Sequence, residues 1–150
     1  MAEWIRRLCT GGSRKSQRGA AAVEFALVVP MLMTLLFGIT DFGLMFNNQS
    51  VFANASRDGA RAASFDASEQ EIRDVVESEV KNLPSIDKWT TTVTCRRVDK
   101  TACSGTYDSQ KEPGGTVKVT ITYVHKWLTP SLLGLPATAE ITKASEMRIE

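Results

Sequence analysis

The longest apolar run of the chain opens at Ala20 and reaches Phe46, and Glu24 and Asp41 are its only charges. Phe25 to Thr40 is 16 residues without a charge, about 24 Å of helix, slightly short of the ~30 Å hydrocarbon core of a bilayer. Carried on to Phe46 the run has 22 residues and ~33 Å of helix, which spans, with Asp41 close to the outer interface. The pattern therefore predicts a membrane-spanning helix over about residues 25–46. From Asn47 to Phe65 the sequence turns polar without a proline. Ala53, Ser56, Ala60 and Ala63 keep a helical spacing there, and Arg57, Asp58 and Arg61 fall mostly on another side as a solvated face. One helix from Ala20 to about Ser64 is the simplest reading, its inner half in lipid and its outer half in water. Pro30 removes an N–H that would bond the Ala26 carbonyl, so a kink or local melting is expected there, with a Thr hydroxyl as one candidate partner for the freed group.

The remaining residues, 65–150, pattern as one small domain. Ser68-Glu69-Gln70-Glu71 fits a capping box. Ile72, Val75, Val76, Val80 and Leu83 follow at helical spacing until Pro84 stops the element. Thr90–Val98 is rich in Thr and Val. Thr116–Val124 alternates Val117, Val119, Ile121 and Tyr123 against Lys118, Thr120 and Thr122, and Ala137–Ile149 is a third run. These elements predict an α+β fold: a long N-terminal helix, a short helix and a small three-stranded antiparallel sheet, with helices on one face. Strand order stays open. Trp127–Pro136 breaks the pattern as a proline-bounded loop with an unusually apolar sequence. An apolar loop of this kind marks either a partner or membrane contact or extra cover for a small core, and the second is the reading preferred here.

Charge adds direction. The 150 residues carry a formal net charge of +1, which gives no reason to expect nucleic acid as a partner. Arg6, Arg7, Arg14, Lys15 and Arg18 crowd the first 19 residues against Glu3 alone, and no basic residue follows until Arg57. By the positive-inside bias the N-terminus is expected in the cytoplasm and the chain beyond about Phe46 outside it. A cleaved secretory signal is the rival reading. Its apolar region is shorter, about 7–15 residues, and it ends near an A-x-A site, whereas Ala53-Asn54-Ala55 lies well past the run.

Candidate chemistry is sparse. The chain has a single His, His125, expected in a satisfied structural role, and no phosphate loop, metal-ligand spacing or nucleophile with a base. Catalysis, cofactors and metals are therefore not expected. Cys95 and Cys103 fall on the outer side and are expected to pair, while Cys9 sits in the basic leader.

Arg18-Gly19-Ala20-Ala21-Ala22-Val23-Glu24-Phe25 places a basic head, a Gly and then an acid five residues into the apolar run. A carboxylate in a membrane segment is costly, roughly 2.5–3.5 kcal/mol at mid-bilayer on insertion scales, so a helix that keeps one uses it. Together with Pro30, the stretch Asn54-Ala55-Ser56-Arg57-Asp58-Gly59-Ala60-Arg61-Ala62-Ala63 and the closing Ala144-Ser145-Glu146-Met147-Arg148-Ile149-Glu150, this pattern resembles the TadE-like family. The likeness is dense over residues 18–65 and thin beyond. It implies a prepilin-like protein, a minor pilin or pseudopilin, of the bacterial tight-adherence (Tad) pilus, a type IV pilus-related system. It implies cleavage between Gly19 and Ala20 by a prepilin peptidase, which makes Glu24 the fifth residue of the mature chain. It also implies a leader over residues 1–19, a long helix over 20–64 and an extracytoplasmic domain over 65–150. The implied partners are that peptidase, other pilins or pseudopilins, assembly-platform proteins and the lipid bilayer of the inner membrane. Glu24 and Phe25 are the implied assembly positions. Small pilins of the system usually carry Glu-Tyr there, so Glu24-Phe25 implies the pseudopilin branch. The alternative is an unprocessed, single-pass membrane-anchored binding module.

Overall fold

The computed structural model describes residues 13–150; most of the basic leader, with Cys9, lies outside the described residues. Helix α1 covers Ser13–Ser64. It continues through Pro30, and Thr34 Oγ1 donates to the Pro30 carbonyl at 2.8 Å rather than to that of Ala26. The chain divides into two compact units, one ending at Ile39 and one covering Thr40–Glu150. In the first unit the helix buries almost nothing: Val23, Phe25, Leu27, Val28 and Met31 are all well exposed.

The second unit is the α+β domain that the pattern predicts, and it takes in the outer part of α1. Helix α2, Glu69–Val80, starts from a complete capping box in which Ser68 and Glu71 satisfy each other's backbone N–H. Strands β1 (Ile86–Arg96), β2 (Thr116–Lys126) and β3 (Thr138–Arg148) form an antiparallel sheet in the order β1-β2-β3, a meander. Two one-turn helices lie in the connections, α3 at Tyr107–Gln110 and α4 at Pro130–Leu133. Alternation explains β2: Val117, Val119, Ile121, Tyr123 and His125 are buried, while Lys118 and Lys126 are exposed. β1 begins earlier than its Thr-rich centre suggests, because Ile86 pairs with His125 across a register irregularity before Lys88.

The core forms where α1 and α2 cover the inner face of the sheet. From α1 come Phe52, Ala55, Ala60 and Ala63, from α2 Ile72, Val76 and Val80, and from β2 Val117, Val119, Ile121 and Tyr123. The small-residue stripe is thus a packing face, and Gly59 lets it close. A Cβ at Gly59 meets Val76 Cγ2 at 3.0 Å, Val119 Cγ1 at 3.4 Å and Ile72 Cγ2 at 3.5 Å. Arg57, Asp58 and Arg61 face solvent.

The far end of α1 is tied down by polar contacts. Tyr107 Oη donates to the Ala63 carbonyl at 3.1 Å. Lys111 Nζ reaches the Asp66 carbonyl at 2.7 Å and the Asp66 carboxylate at 2.9 Å, which holds the left-handed Asp66 turn (φ 68°) between α1 and α2. Burial, with Asp66 and Asp108 nearby, pushes the Tyr107 phenol up to about 12. The last backbone N–H of the chain, at Glu150, donates to the Ser64 carbonyl at 3.0 Å. Cys95 and Cys103 are joined by a disulfide with a Cα–Cα distance of 5.4 Å, which anchors the loop that carries α3.

Candidate functional site

Gly19, Ala20, Glu24 and Phe25 all lie on α1 within the first unit, and all four are exposed. Helical spacing puts Ala20 and Glu24 one turn apart on the same face. Nothing packs over Gly19; a Cβ there has no neighbour within 4 Å. Phe25 exposes 70% of its surface, and so begins an uninterrupted apolar exterior rather than a buried stripe. Among the described residues Glu24 has no hydrogen bond or ion pair, so its carboxylate is open to a partner outside the chain. One helix among the described residues, Gly19–Ser64, is long and apolar enough to cross a membrane. Among the described residues no second group is gathered around these four positions.

A second feature belongs to the Thr40–Glu150 unit and was not legible as a site. Asp41 is 1% exposed. Its carboxylate accepts from the Leu128 N–H at 2.8 Å, the Thr129 N–H at 3.1 Å and the Thr129 hydroxyl at 2.9 Å. An acid that the apolar run places near an interface is therefore a cap for the loop after β2. Phe42, its neighbour, meets the Trp127 ring edge-on at a centroid distance of 5.3 Å. No described side chain from Trp127 to Pro136 belongs to the core or to the partly buried residues packed on it, and Leu128 is 59% exposed. For Leu128, Leu133 and Leu135 the preferred expectation, that these leucines close the core, is thus corrected. The reason is that α1 and α2 already cover the sheet, which leaves the loop to lie outside.

The helix–sheet interface near Asp41 is polar. Asn48 is fully buried and donates through Nδ2 to the Pro84 carbonyl at 2.8 Å. His125 is fully buried against Trp127, with centroids 5.0 Å apart, and neither of its ring nitrogens has a protein hydrogen-bond partner. It is structural, as expected, but not satisfied. Burial lowers its pKa against the opposing pull of the Asp41 carboxylate. Among the described residues no group of three His, Cys, Asp or Glu side chains could hold a metal ion.

The family model described as TadE-like protein matches residues 19–61. The matched segment starts at Gly19, takes in Glu24, the whole apolar run and Gly59, and ends at the exposed Arg61. No curated protein and no solved structure matches the chain.

Proposed function

We propose that this chain, TadE-like over residues 19–61, is a minor pilin or pseudopilin of a Tad pilus assembly, with a structural rather than a catalytic role. The observation that carries the reading is the coincidence of the family match with a helix whose apolar surface is bare from Val23 onward. A helix so exposed needs lipid or other helices around it.

The embedded stretch ends near Thr40 on this reading. Asp41 accepts two backbone N–H groups from a loop, and lipid-exposed loop backbone is not tolerated inside the hydrocarbon. Ala20–Thr40 makes ~31 Å of helix, a match to the ~30 Å core. The N-terminus is cytoplasmic in this arrangement and Thr40–Glu150 lies on the outer side of the bacterial inner membrane.

Cleavage after Gly19 by a prepilin peptidase fits an accessible Gly without a side chain to obstruct a protease cleft. The released α-ammonium at Ala20, with an ordinary pKa of about 7.7–8.0, then stands one turn from Glu24. The partners are the peptidase, other pilins or pseudopilins and the assembly platform. The mass of the protein recovered from its host tests the proposal. Loss of residues 1–19 in the wild type and their retention in Gly19→Leu is the expected result. A wild type that keeps its leader overturns the processed reading and leaves an anchored binding module; loss through about Ala55 makes the run a signal peptide.

A further inference from the structure

We propose that the loop Trp127–Pro136 is a second lipid-contacting element, lying in the headgroup–acyl boundary of the outer leaflet around the point where α1 leaves the bilayer. The proposal rests on the reading of residues 20–40 as membrane-embedded.

The loop's place along the chain is the first argument. Asp41, one residue beyond the stretch proposed as embedded, accepts from Leu128 and Thr129, so the loop is held at the first helical turn after the span. Its composition is the second. No charged residue occurs between Lys126 and Glu140. Leu128 at 59% exposed, Phe42 at 41% and Phe46 at 60% make an apolar collar, with Trp127 set edge-on against Phe42. Phe42 and Phe46 are one helical turn apart. Tryptophan with exposed leucine and phenylalanine beside it is the composition of a membrane–water interface.

The backbone gives the third argument. Backbone groups that leave water cost less when they are already hydrogen-bonded. Trp127 N–H donates to the Ala137 carbonyl at 3.3 Å, and Leu128 and Thr129 donate to Asp41. Leu133 donates to Thr129, and the Gly134 and Leu135 N–H groups both return to Pro130. Pro130 and Pro136 have no N–H to satisfy.

The test uses the full chain in phosphatidylcholine–phosphatidylglycerol vesicles. Cys9→Ser removes the remaining thiol outside the disulfide, and an NBD fluorophore is attached to a cysteine placed at Leu128, at Leu32 or at Thr92. Lipids carry a spin-label quencher either near the headgroup or near the chain end. The label at 128 is expected to be quenched several-fold more by the shallow quencher than the label at 92, and more by the shallow than by the deep one. The label at 32 should show the opposite depth preference. Quenching at 32 with none at 128 overturns the collar while leaving the span intact. Blue-shifted emission at 128 without lipid quenching overturns it in favour of a protein cover, such as a second copy. A label at 32 that neither quencher reaches removes the span, and the collar with it.

Discussion

The Phe52 ring lies flat on the Tyr123 ring, with centroids 3.9 Å apart and planes 9° from parallel. This stack joins the helix that carries the family signature to the central strand of the sheet, and both rings are fully buried. The outer half of α1 is therefore part of the domain's core and not a stalk beneath it.

Phe52→Ala removes one side of that stack and leaves a hole between α1 and β2. Such truncations destabilise by about 3–5 kcal/mol. For a domain of this size that is a large share of the total, so chemical denaturation should show a strongly lowered midpoint or no folded baseline. An unchanged midpoint means that α1 does not pack on the sheet in solution.

Gly59→Val tests the close approach beside it. A Cβ at Gly59 is already 3.0 Å from Val76 Cγ2, and a branched side chain adds two methyl groups in the same space. Overpacking of about 1–3 kcal/mol is expected to outweigh the few tenths of a kcal/mol that helix propensity returns when Gly is replaced by the β-branched Val. Gly43→Ala is the control, because a Cβ there meets nothing within 4 Å, and it should stabilise slightly or have no effect.

His125 sets a pH dependence. Its folded pKa lies below the ordinary value of 6.5, so the unfolded chain takes up the proton more readily than the folded one. Stability is then fully present above pH ~6.5 and falls as the pH drops below it. Lowering the pH from 7.5 to 5.5 should therefore lower the denaturation midpoint. His125→Gln should flatten that stretch of the curve whatever it does to the absolute midpoint. The carboxylates of Glu71, Asp87 and Asp99, which hydrogen bonds hold below their ordinary values, act only in more acid solution.

Glu24 carries the assembly hypothesis. Pairing its carboxylate with the Ala20 ammonium of a neighbouring processed chain neutralises both charges and fixes the axial stagger. Glu24→Gln and Glu24→Ala should be cleaved normally and leave the denaturation midpoint of the outer domain unchanged, because the residue touches nothing in that unit. Co-purification with pilus components should be lost. Retained co-purification in both variants leaves the carboxylate as a mark for the peptidase alone.

The parts of the fold that sequence could reveal are those set by short-range rules. The Ser68–Glu71 box starts α2 and Pro84 lies just past its end, and the alternation of Val117 to Tyr123 makes β2 plain. Periodicity also finds the stripe of Ala60 and Ala63, although not that Gly59 admits Val76. The rest depends on partners distant along the chain. Asp41 reads as an acid at a membrane boundary because its hydrogen-bond donors stand 87 and 88 residues away. His125 continues the inward alternation of β2, and its single position gives no hint that its nitrogens go unpaired. Four-residue helices such as α3 are too short to show a period, and Tyr107 is fixed by Ala63, 44 residues earlier.

The bond from Glu150 to the Ser64 carbonyl, with those of β3 to α1 at Ser145–Ser56 (2.9 Å) and Lys143–Gln49 (3.0 Å), has a kinetic consequence. Of the three strands, β3 is the last to leave the ribosome, which delivers chain at about 5–20 residues per second. Until it arrives, the face of α1 from Gln49 to Ser64 lacks part of its cover. A nascent chain therefore offers that small-residue face to other molecules for several seconds before β3 can claim it, and a truncation ahead of β3 would make that interval permanent.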